Sequence, residues 1–335
     1  MQLTMEPLDE MLASARVMDE AGMDTIWLAE AYPWWRKHGM EARSSTVVSA
    51  LVARATERLT VGWGIISPFT RHPVQIAMDA RVVQEAAGPG RFLLGLGTSK
   101  IFLNNAKLDG RRTLGPMRDA VEIVRGVLGG GPFEYEGAAW SASVPALAAE
   151  AESPREVPPV YVAATAPKMQ ALAGELADGC LTPSITTPAF VRYTRENVGP
   201  DVDVGCTVVA SVDAFDREKG RDGAREIAAM YLANKVQNIK GAADTLLELA
   251  GLEQDEIRPV AEAMERGGRL AAKAEVTDAI LDKCKPIAGT PSDCIEAIEE
   301  YRDAGCTHVM LELWGDRRHE QIRLFGEEVL PHFRS

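Results

Sequence analysis

The chain has 335 residues, of which 46 % are hydrophobic and 25 % charged, a composition typical of a globular protein with a sizeable core. Its 49 acidic and 36 basic residues give a formal net charge of −13, which argues against nucleic acid as the main partner because phosphate binding draws on clustered cations. An acidic chain can still bind an anionic small molecule at a local basic patch.

Helical and strand patterns alternate from the start of the chain. Apolar residues at helical spacing predict helices at 7–21, 44–57, 73–87 and 113–128. Short apolar runs predict buried strands at 24–29, 59–66 and 91–96, with a further short strand at 2–5. Only six residues precede Pro7, so we expect the first strand to be truncated.

The alternation resumes after an irregular stretch at 129–158. The same patterns predict strands at 160–164, 180–182, 202–212 and 307–313, and helices at 167–177, 188–197, 291–304 and 316–329. Residues 216–283 are rich in helical pattern and contain no clear strand. We therefore interpret 129–158 and 216–283 as insertions between the regular units.

Strand-then-helix units repeated this often predict a parallel sheet with helical crossovers. About seven strands and a possible eighth fit a (β/α)8 TIM barrel, which takes about 250 residues before insertions. A doubly wound open sheet is the alternative. We expect an α/β fold with a single TIM-barrel domain over 1–335.

The cysteines and the start of the chain bear on compartment and metal binding. The five cysteines form no Cys-x-x-Cys pair and no His lies at zinc-finger spacing, so we expect reduced thiols and no metal site. The first residues lack the basic and apolar regions of a signal peptide, and no apolar run approaches the roughly 20 residues that span a bilayer. We therefore expect a cytoplasmic protein with no membrane partner.

Small residues dominate three of the predicted strand ends, at 64–67, 95–99 and 163–166. In a barrel the carboxyl ends of the strands carry the function, and small side chains there let a flat ligand approach the backbone. Tight barrel packing explains small residues equally well. Thr165-Ala166-Pro167 opens a helix, where free amides and a hydroxyl can hold a phosphate. An ordinary threonine cap is the alternative interpretation.

Four segments together resemble the luciferase-like monooxygenase superfamily. They are GWGIISPFTRHP at 62–73, GRFLLGLG at 90–97, PVYVAATAP at 159–167 and ADG at 177–179. The closest likeness is to the deazaflavin-dependent branch typified by methylenetetrahydromethanopterin reductase, and it extends over 7–330. The resemblance implies a (β/α)8 barrel with an insertion, usually dimeric, that uses coenzyme F420 or FMN.

The resemblance also implies a set of cofactor contacts. A non-proline cis peptide falls at Gly64-Ile65, behind the central ring of the flavin. Ser67 matches the family's hydroxyl residue beside that ring. The other positions assigned to the cofactor are Ala31, Gly97, Thr98, Ser99, Thr165 and Ala166, the last two beside its ribityl or phosphate portion.

Two positions depart from the deazaflavin branch. Its second strand usually ends in Asp or Glu followed by His, whereas Glu30 is here followed by Ala31, and the acid that often follows its fourth strand is here Lys100. Glu30 is therefore the candidate catalytic acid or ring contact, and Lys100 the candidate contact for an anionic substrate or cofactor tail. For each, a surface residue without a role in the site is the alternative. We interpret His72 as structural, because a helix start needs no catalyst.

Three functions follow from the resemblance. The first is an oxidoreductase that transfers hydride between coenzyme F420 and a small organic substrate, working as a homodimer. The second is an FMN-dependent monooxygenase that receives reduced flavin from a partner reductase. The third is a non-catalytic flavin-binding homologue. The missing His and the presence of Lys100 at the position of the acid favour this function. The residues leave the substrate and the direction of hydride transfer open.

Overall fold

The computed structural model describes residues 2–30, 32, 41–110, 112–145, 156–238 and 242–334. Of these, 2–3, 100–101, 237–238 and 242–243 are described by their backbone alone. The chain forms two compact units, which we call the N-terminal unit (Gln2–Ala163 with Lys168–Cys180) and the C-terminal unit (Ala164–Pro167 with Leu181–Ser335). Over the ranges described, no helix is both long enough and apolar enough to span a membrane.

The N-terminal unit is built on parallel strands joined by helices. Its strands are β1 (Gln2–Leu3), β2 (Thr25–Ala29), β3 (Thr60–Trp63), β4 (Phe92–Leu96), β5 (Phe133–Glu136), β6 (Ser141–Val144) and β7 (Val160–Ala163). Its helices are α1 (Leu8–Glu20), α2 (Ser45–Ala55), α3 (Pro73–Ala87), α4 (Lys100–Asn105) and α5 (Leu114–Leu128). The parallel order is β1-β2-β3-β4-β7, whereas β5 and β6 form a separate antiparallel pair. The chain continues with α6 (Pro167–Leu176) and β8 (Gly179–Leu181).

Aromatic rings set against glycines fill the core of this unit. The register places Trp27 of β2 beside Gly62 of β3, where an added Cβ would lie 2.5 Å from the indole ring. Tyr161 on β7 meets Trp27 edge to face at 5.2 Å between ring centroids, and a Cβ at Gly179 would lie 2.1 Å from the tyrosine ring. The two glycines therefore provide the space that the two buried rings occupy.

The C-terminal unit is centred on β9 (Asp203–Val212), which is buried from its second residue onward. Two short strands, β10 (Ile287–Gly289) and β11 (His308–Glu312), each pair with β9 in parallel. The helices are α7 (Pro188–Val198), α8 (Arg217–Asn238), α9 (Ala242–Ala250), α10 (Gln254–Ala274), α11 (Asp278–Lys283), α12 (Pro291–Asp303), α13 (Arg318–Leu324) and α14 (Leu330–Phe333). A π-helical turn at Phe325–Val329 lies between the last two.

Helix α8 packs closely on the carboxyl ends of β9 and β10. A Cβ at Gly220 would lie 2.3 Å from the carbonyl oxygen of Gly289, and one at Gly223 would lie 2.2 Å from Ser211 Oγ. Because neither position has a side chain, the helix backbone approaches the sheet directly. The first turns of α8 therefore lie against the carboxyl ends of β9 and β10.

The predicted alternation of strands and helices is confirmed for most elements. Helices α3, α6 and α12 each begin at the proline that the sequence indicates, and the segment at 216–283 forms helices, α8 to α11. Several short elements were not predicted. Strand β10 has three residues and α4 has six, which is too short for a periodic signal, and the hairpin of β5 and β6 lies inside the expected insertion at 129–158. The single-domain interpretation stays a prediction.

Candidate functional site

The residues that follow β3 and β4 are joined by hydrogen bonds. The amide of Ile66 donates to the carbonyl of Gly95 at 2.9 Å, and the amide of Gly97 donates to the carbonyl of Ile66 at 3.1 Å. Ser67 Oγ donates to the carbonyl of Thr98 at 3.3 Å. The segments after the two strands therefore hold one another in place at the carboxyl end of the sheet, where active sites form in parallel barrels.

Ile65 lies on a base of small residues. A Cβ at Gly97 would lie 2.7 Å from Ile65 Cγ1 and 3.2 Å from Ala163 Cβ, so no larger residue fits beneath the isoleucine. The peptide bond between Gly64 and Ile65 is cis, as the resemblance implies. Both residues of that bond are half-buried, whereas Ile66 is fully buried. A half-buried aliphatic side chain packed on such a base can support the face of a flat ring.

The hydroxyl groups beside this base differ in what they can offer a ligand. Ser67 is fully buried, and its Oγ also accepts from the amide of Phe69 at 3.3 Å, so its hydroxyl is engaged within the protein. Thr98 and Ser99 are half-buried. Ser99 takes a left-handed backbone conformation (φ 46°) at the start of α4. Thr98 and Ser99 are therefore the more accessible polar residues at this strand end.

Glu30 forms a nearly buried ion pair with Arg71. The guanidinium donates to both carboxylate oxygens, at 2.7 and 2.9 Å, and the side chains are 5 % (Glu30) and 20 % (Arg71) exposed. The hydrogen bond to Glu30 raises the pKa of Arg71 against the opposing effect of desolvation. Glu30 is therefore not a solvated strand-end residue, and both of its carboxylate oxygens are engaged by one guanidinium group.

Comparisons with known proteins identify the family of the chain. The family model described as Luciferase-like monooxygenase matches residues 1–308. The chain belongs to the luciferase-like monooxygenase family. This match confirms the family that four short segments of the sequence already indicated.

Relatives within the family span nearly the full length. A 5,10-methylenetetrahydromethanopterin reductase from Archaeoglobus fulgidus is 30 % identical over 332 residues, covering 94 % of this chain and 93 % of the relative. An F420-dependent glucose-6-phosphate dehydrogenase from Nakamurella multipartita is 25 % identical, covering 97 % and 93 %. The solved structure of the coenzyme F420 dependent tetrahydromethanopterin reductase from Methanopyrus kandleri superposes with a TM-score of 0.85 at 24 % identity, covering 99 % and 97 %. This likeness confirms the predicted α/β TIM-barrel fold class.

The remaining predicted site residues are placed unevenly. Thr165 and Ala166 are half-buried and directly precede α6, and the amide of Ala164 donates to the carbonyl of Leu181 at 3.0 Å. Lys100 is the first residue of α4, described by its backbone alone. Ala31 lies outside the described residues. The structure thus brings together the predicted residues that follow β3 and β4. The roles assigned to the site residues, Lys100 and Ala31 included, stay predictions.

His72 lies at the start of α3. Its Nδ1 accepts from the amide of Val74 at 3.3 Å and caps the start of α3. Its ring also meets Trp140 edge to face at 5.7 Å. These two contacts support the interpretation that His72 stabilises a helix start.

Sequence reasoning missed a buried carboxylate at the end of β11. Glu312 is 1 % exposed and accepts from Trp314 Nε1 at 2.9 Å. A signal was present, since Glu312 is an acidic residue in the otherwise apolar run Val309-Met-Leu-Glu-Leu-Trp314. A charge inside a predicted buried strand marks either a structural ion pair or a functional group.

Proposed function

We propose that this chain is an oxidoreductase that transfers hydride between coenzyme F420 and a small organic substrate. Full-length similarity to the reductase and the F420-dependent dehydrogenase described above supports this reaction class. When bound, the deazaflavin ring supplies the carbon that accepts or gives hydride. The protein then has to bind both reactants, orient them and exclude water.

The structural observation that supports the proposal is the packing of Ile65 against Gly97 and Ala163. A ring stacked on Ile65 needs a support that does not move, and the close packing beneath Ile65 provides it. The cofactor contacts in the proposal are Gly64, Ile65, Ser67, Gly97, Thr98 and Ser99, with Ala31, Thr165 and Ala166 assigned by the family resemblance.

The two candidate catalytic residues receive different roles. The Glu30–Arg71 pair orients the end of β2, and its carboxylate provides a fixed negative charge. We assign Lys100 to an anionic group of the substrate or of the cofactor tail. Removing the Lys100 charge is expected to weaken binding of that group without changing the hydride-transfer step.

Fluorescence titration of the purified protein with oxidised F420 tests the proposal. Gly97→Val drives a side chain into Ile65 and Ile65→Ala removes the ring support, so each is expected to weaken the Kd for F420 at least tenfold. Gly131→Ala is the matched control, because no atom lies within 4 Å of an added Cβ there. Absence of F420 binding by the unmodified protein at micromolar concentration contradicts the proposal.

The same samples distinguish the other functions. Retention of FMN together with reductase-dependent oxygen consumption supports the monooxygenase. Tight F420 binding without turnover of any substrate in a broad panel supports the non-catalytic homologue. We also propose a homodimer in the cytoplasm, which sedimentation velocity and cell fractionation test, and a partner flavin reductase belongs only to the FMN-dependent function.

A further inference from the structure

A cavity of about 250 Å³ lies within the C-terminal unit. Its walls come from the end of β9, from one face of α8, from Arg269 of α10 and from the segment 314–321 that follows β11. All of the residues that line it belong to this one unit. That volume equals about eight water molecules at about 30 Å³ each, which is the size of a compound of about ten non-hydrogen atoms.

Two buried polar side chains line this cavity without a hydrogen-bond partner. Ser211 is 4 % exposed and Gln321 is 5 % exposed. Gln321 Oε1 accepts from the amide of Val212 at 3.0 Å, which fixes the side chain and leaves its Nε2 group to donate elsewhere. Within the described part of the chain, neither the Ser211 hydroxyl nor Gln321 Nε2 makes a hydrogen bond. Because buried polar groups are almost always paired, these two donors indicate an acceptor that enters the cavity.

Three cationic side chains line the same cavity, and they differ in how firmly they are engaged. Lys219 and Arg317 each bind Asp213 at 2.7 Å. The hydrogen bond from Lys219, together with further donors that include Arg317, holds the pKa of Asp213 well below its usual range. Arg269 Nη1 lies 3.6 Å from Glu226 Oε1, which is longer than a hydrogen bond. Over the described ranges Arg269 makes no hydrogen bond, so its guanidinium group has donors to offer a ligand.

The acidic side chains of the cavity are already neutralised or solvated. Asp222 accepts from Lys273 Nζ at 2.5 Å, and Glu226 faces Arg269. Asp316 is exposed to solvent, so water satisfies its carboxylate. The unused hydrogen-bonding capacity of the buried groups therefore consists of donors, which select a ligand with acceptor oxygens.

Apolar surface completes the cavity. Ile227 and Met230 line it from α8, and Trp314 lines it from the segment after β11. The Trp314 indole donates to Glu312 Oε2 at 2.9 Å, so its N–H group is engaged and the residue offers the cavity its ring. Water beside these three side chains lacks the polar partners that a buried water needs, whereas an apolar group there gains free energy by burial. The cavity thus suits a molecule that has both an apolar body and acceptor oxygens.

We propose that this cavity is a binding site for a small organic carboxylate. The carboxylate oxygens accept from Ser211, Gln321 and Arg269, and the apolar body packs on the three apolar side chains just described. Inorganic phosphate lacks that body, and an amide or alcohol of the same shape lacks the negative charge that strengthens each hydrogen bond. The site is additional to the cofactor contacts proposed at the ends of β3 and β4, and it does not depend on the hydride-transfer function.

Isothermal titration calorimetry of the purified protein with phenylacetate, 3-phenylpropionate and hexanoate tests the proposal. At least one of them is expected to bind with a Kd below about 1 mM, which is within reach of a compound of about ten non-hydrogen atoms. Phenylacetamide and 2-phenylethanol keep the body without the charge and are expected to bind about tenfold more weakly or worse. Absence of binding by all three carboxylates at this concentration overturns the proposal. Equal binding of phenylacetamide, or tighter binding of inorganic phosphate, also overturns it.

Variants test the assigned contacts. Gln321→Glu keeps the oxygen that accepts from the Val212 amide and replaces the donor with a second oxygen, so it is expected to abolish measurable binding. Arg269→Gln is expected to raise the Kd about fivefold, because it removes a charged donor from a partly exposed position. Arg258→Gln is the matched control, since this exposed arginine of the same helix pairs with Asp255 and does not line the cavity. An unchanged Kd in Arg269→Gln contradicts the assignment.

The fold of each variant is checked by circular dichroism, because Gln321→Glu places a charge at a buried position. If that variant does not fold, Ser211→Ala removes one donor without adding a charge and is expected to raise the Kd about fivefold. An unchanged Kd in a folded Ser211→Ala or Gln321→Glu overturns the proposal.

Titration of the same samples with F420 reports on the proposed function separately, since the carboxylates are added to the cofactor-free protein. A crystal structure with phenylacetate gives the final test. The carboxylate is expected within hydrogen-bond distance of Ser211 Oγ and Gln321 Nε2, and its placement anywhere else on the chain overturns the proposal.

Discussion

Glu30 and Arg71 show how the role of a side chain depends on a partner far away in the sequence. The carboxylate is 5 % exposed, and an unpaired charge at that depth is strongly unfavourable. Two hydrogen bonds from Arg71, at 2.7 and 2.9 Å, compensate for the lost water. The pair therefore holds a carboxylate in a fixed position at the end of β2.

Removing the Arg71 side chain is expected to lower the stability of the folded chain strongly. Arg71→Met leaves the Glu30 charge buried without its partner and is expected to lower the free energy of unfolding by about 3 kcal/mol. The double variant Glu30→Gln/Arg71→Met is expected to recover part of that loss. Urea unfolding measures both, with Arg118→Met as the control, because its ion pair with Glu175 is solvent-exposed and contributes little. Equal stability of Arg71→Met and Arg118→Met contradicts the assignment.

At the scale of elements, the position of α8 depends on two glycines. Alanine is the better helix former by about 1 kcal/mol, so propensity alone predicts that Gly220→Ala and Gly223→Ala stabilise the helix. The structure predicts the opposite, because the added Cβ atoms would lie 2.3 Å from the Gly289 carbonyl oxygen and 2.2 Å from Ser211 Oγ.

An added Cβ at Gly223 would clash with a side chain, whereas one at Gly220 would clash with backbone atoms. Gly223→Ala is expected to lower the urea midpoint, and the double variant Gly223→Ala/Ser211→Ala is expected to restore most of it because the nearest atom has been removed. Gly220→Ala meets backbone, so we expect no single side-chain change to rescue it. Higher stability of either single variant would show that α8 lies farther from the strands than the structure places it.

At the scale of the whole molecule, the net charge of −13 is a sum over all residues and does not give the local charge at the candidate site. The cofactor contacts proposed at the ends of β3 and β4 are glycines, hydroxyl residues, one isoleucine and backbone groups, which carry no charge. An acidic protein can therefore bind an anionic cofactor, provided that the local contacts are neutral or basic.

Cofactor binding is expected to stabilise the folded chain. At a free F420 concentration of about 100 times its Kd, the free energy of unfolding is expected to rise by about 2.7 kcal/mol. Differential scanning calorimetry measures this as a higher Tm, and FMN at the same concentration is expected to give a smaller rise. A larger rise with FMN favours the monooxygenase. Equal Tm values with and without F420 contradict the proposed function.

Much of the fold could be predicted because its signals are local. Helix starts at Pro73, Pro167 and Pro291 follow from the fixed φ of proline and its missing amide donor, and apolar runs mark the longer strands. At Thr290 the hydroxyl and the Asp293 carboxylate form a capping box, which is also visible in sequence. Strand β10 was missed because three residues give no period.

The candidate site divides in the same way. The sequence by itself determined the alternation of elements, the small strand ends and the family, since each depends on neighbouring residues or on contiguous motifs. Only the tertiary structure decided that Glu30 pairs with Arg71, 41 residues away. Such contacts join residues far apart in the chain, and their partners depend on how strands and helices pack, which no local pattern records.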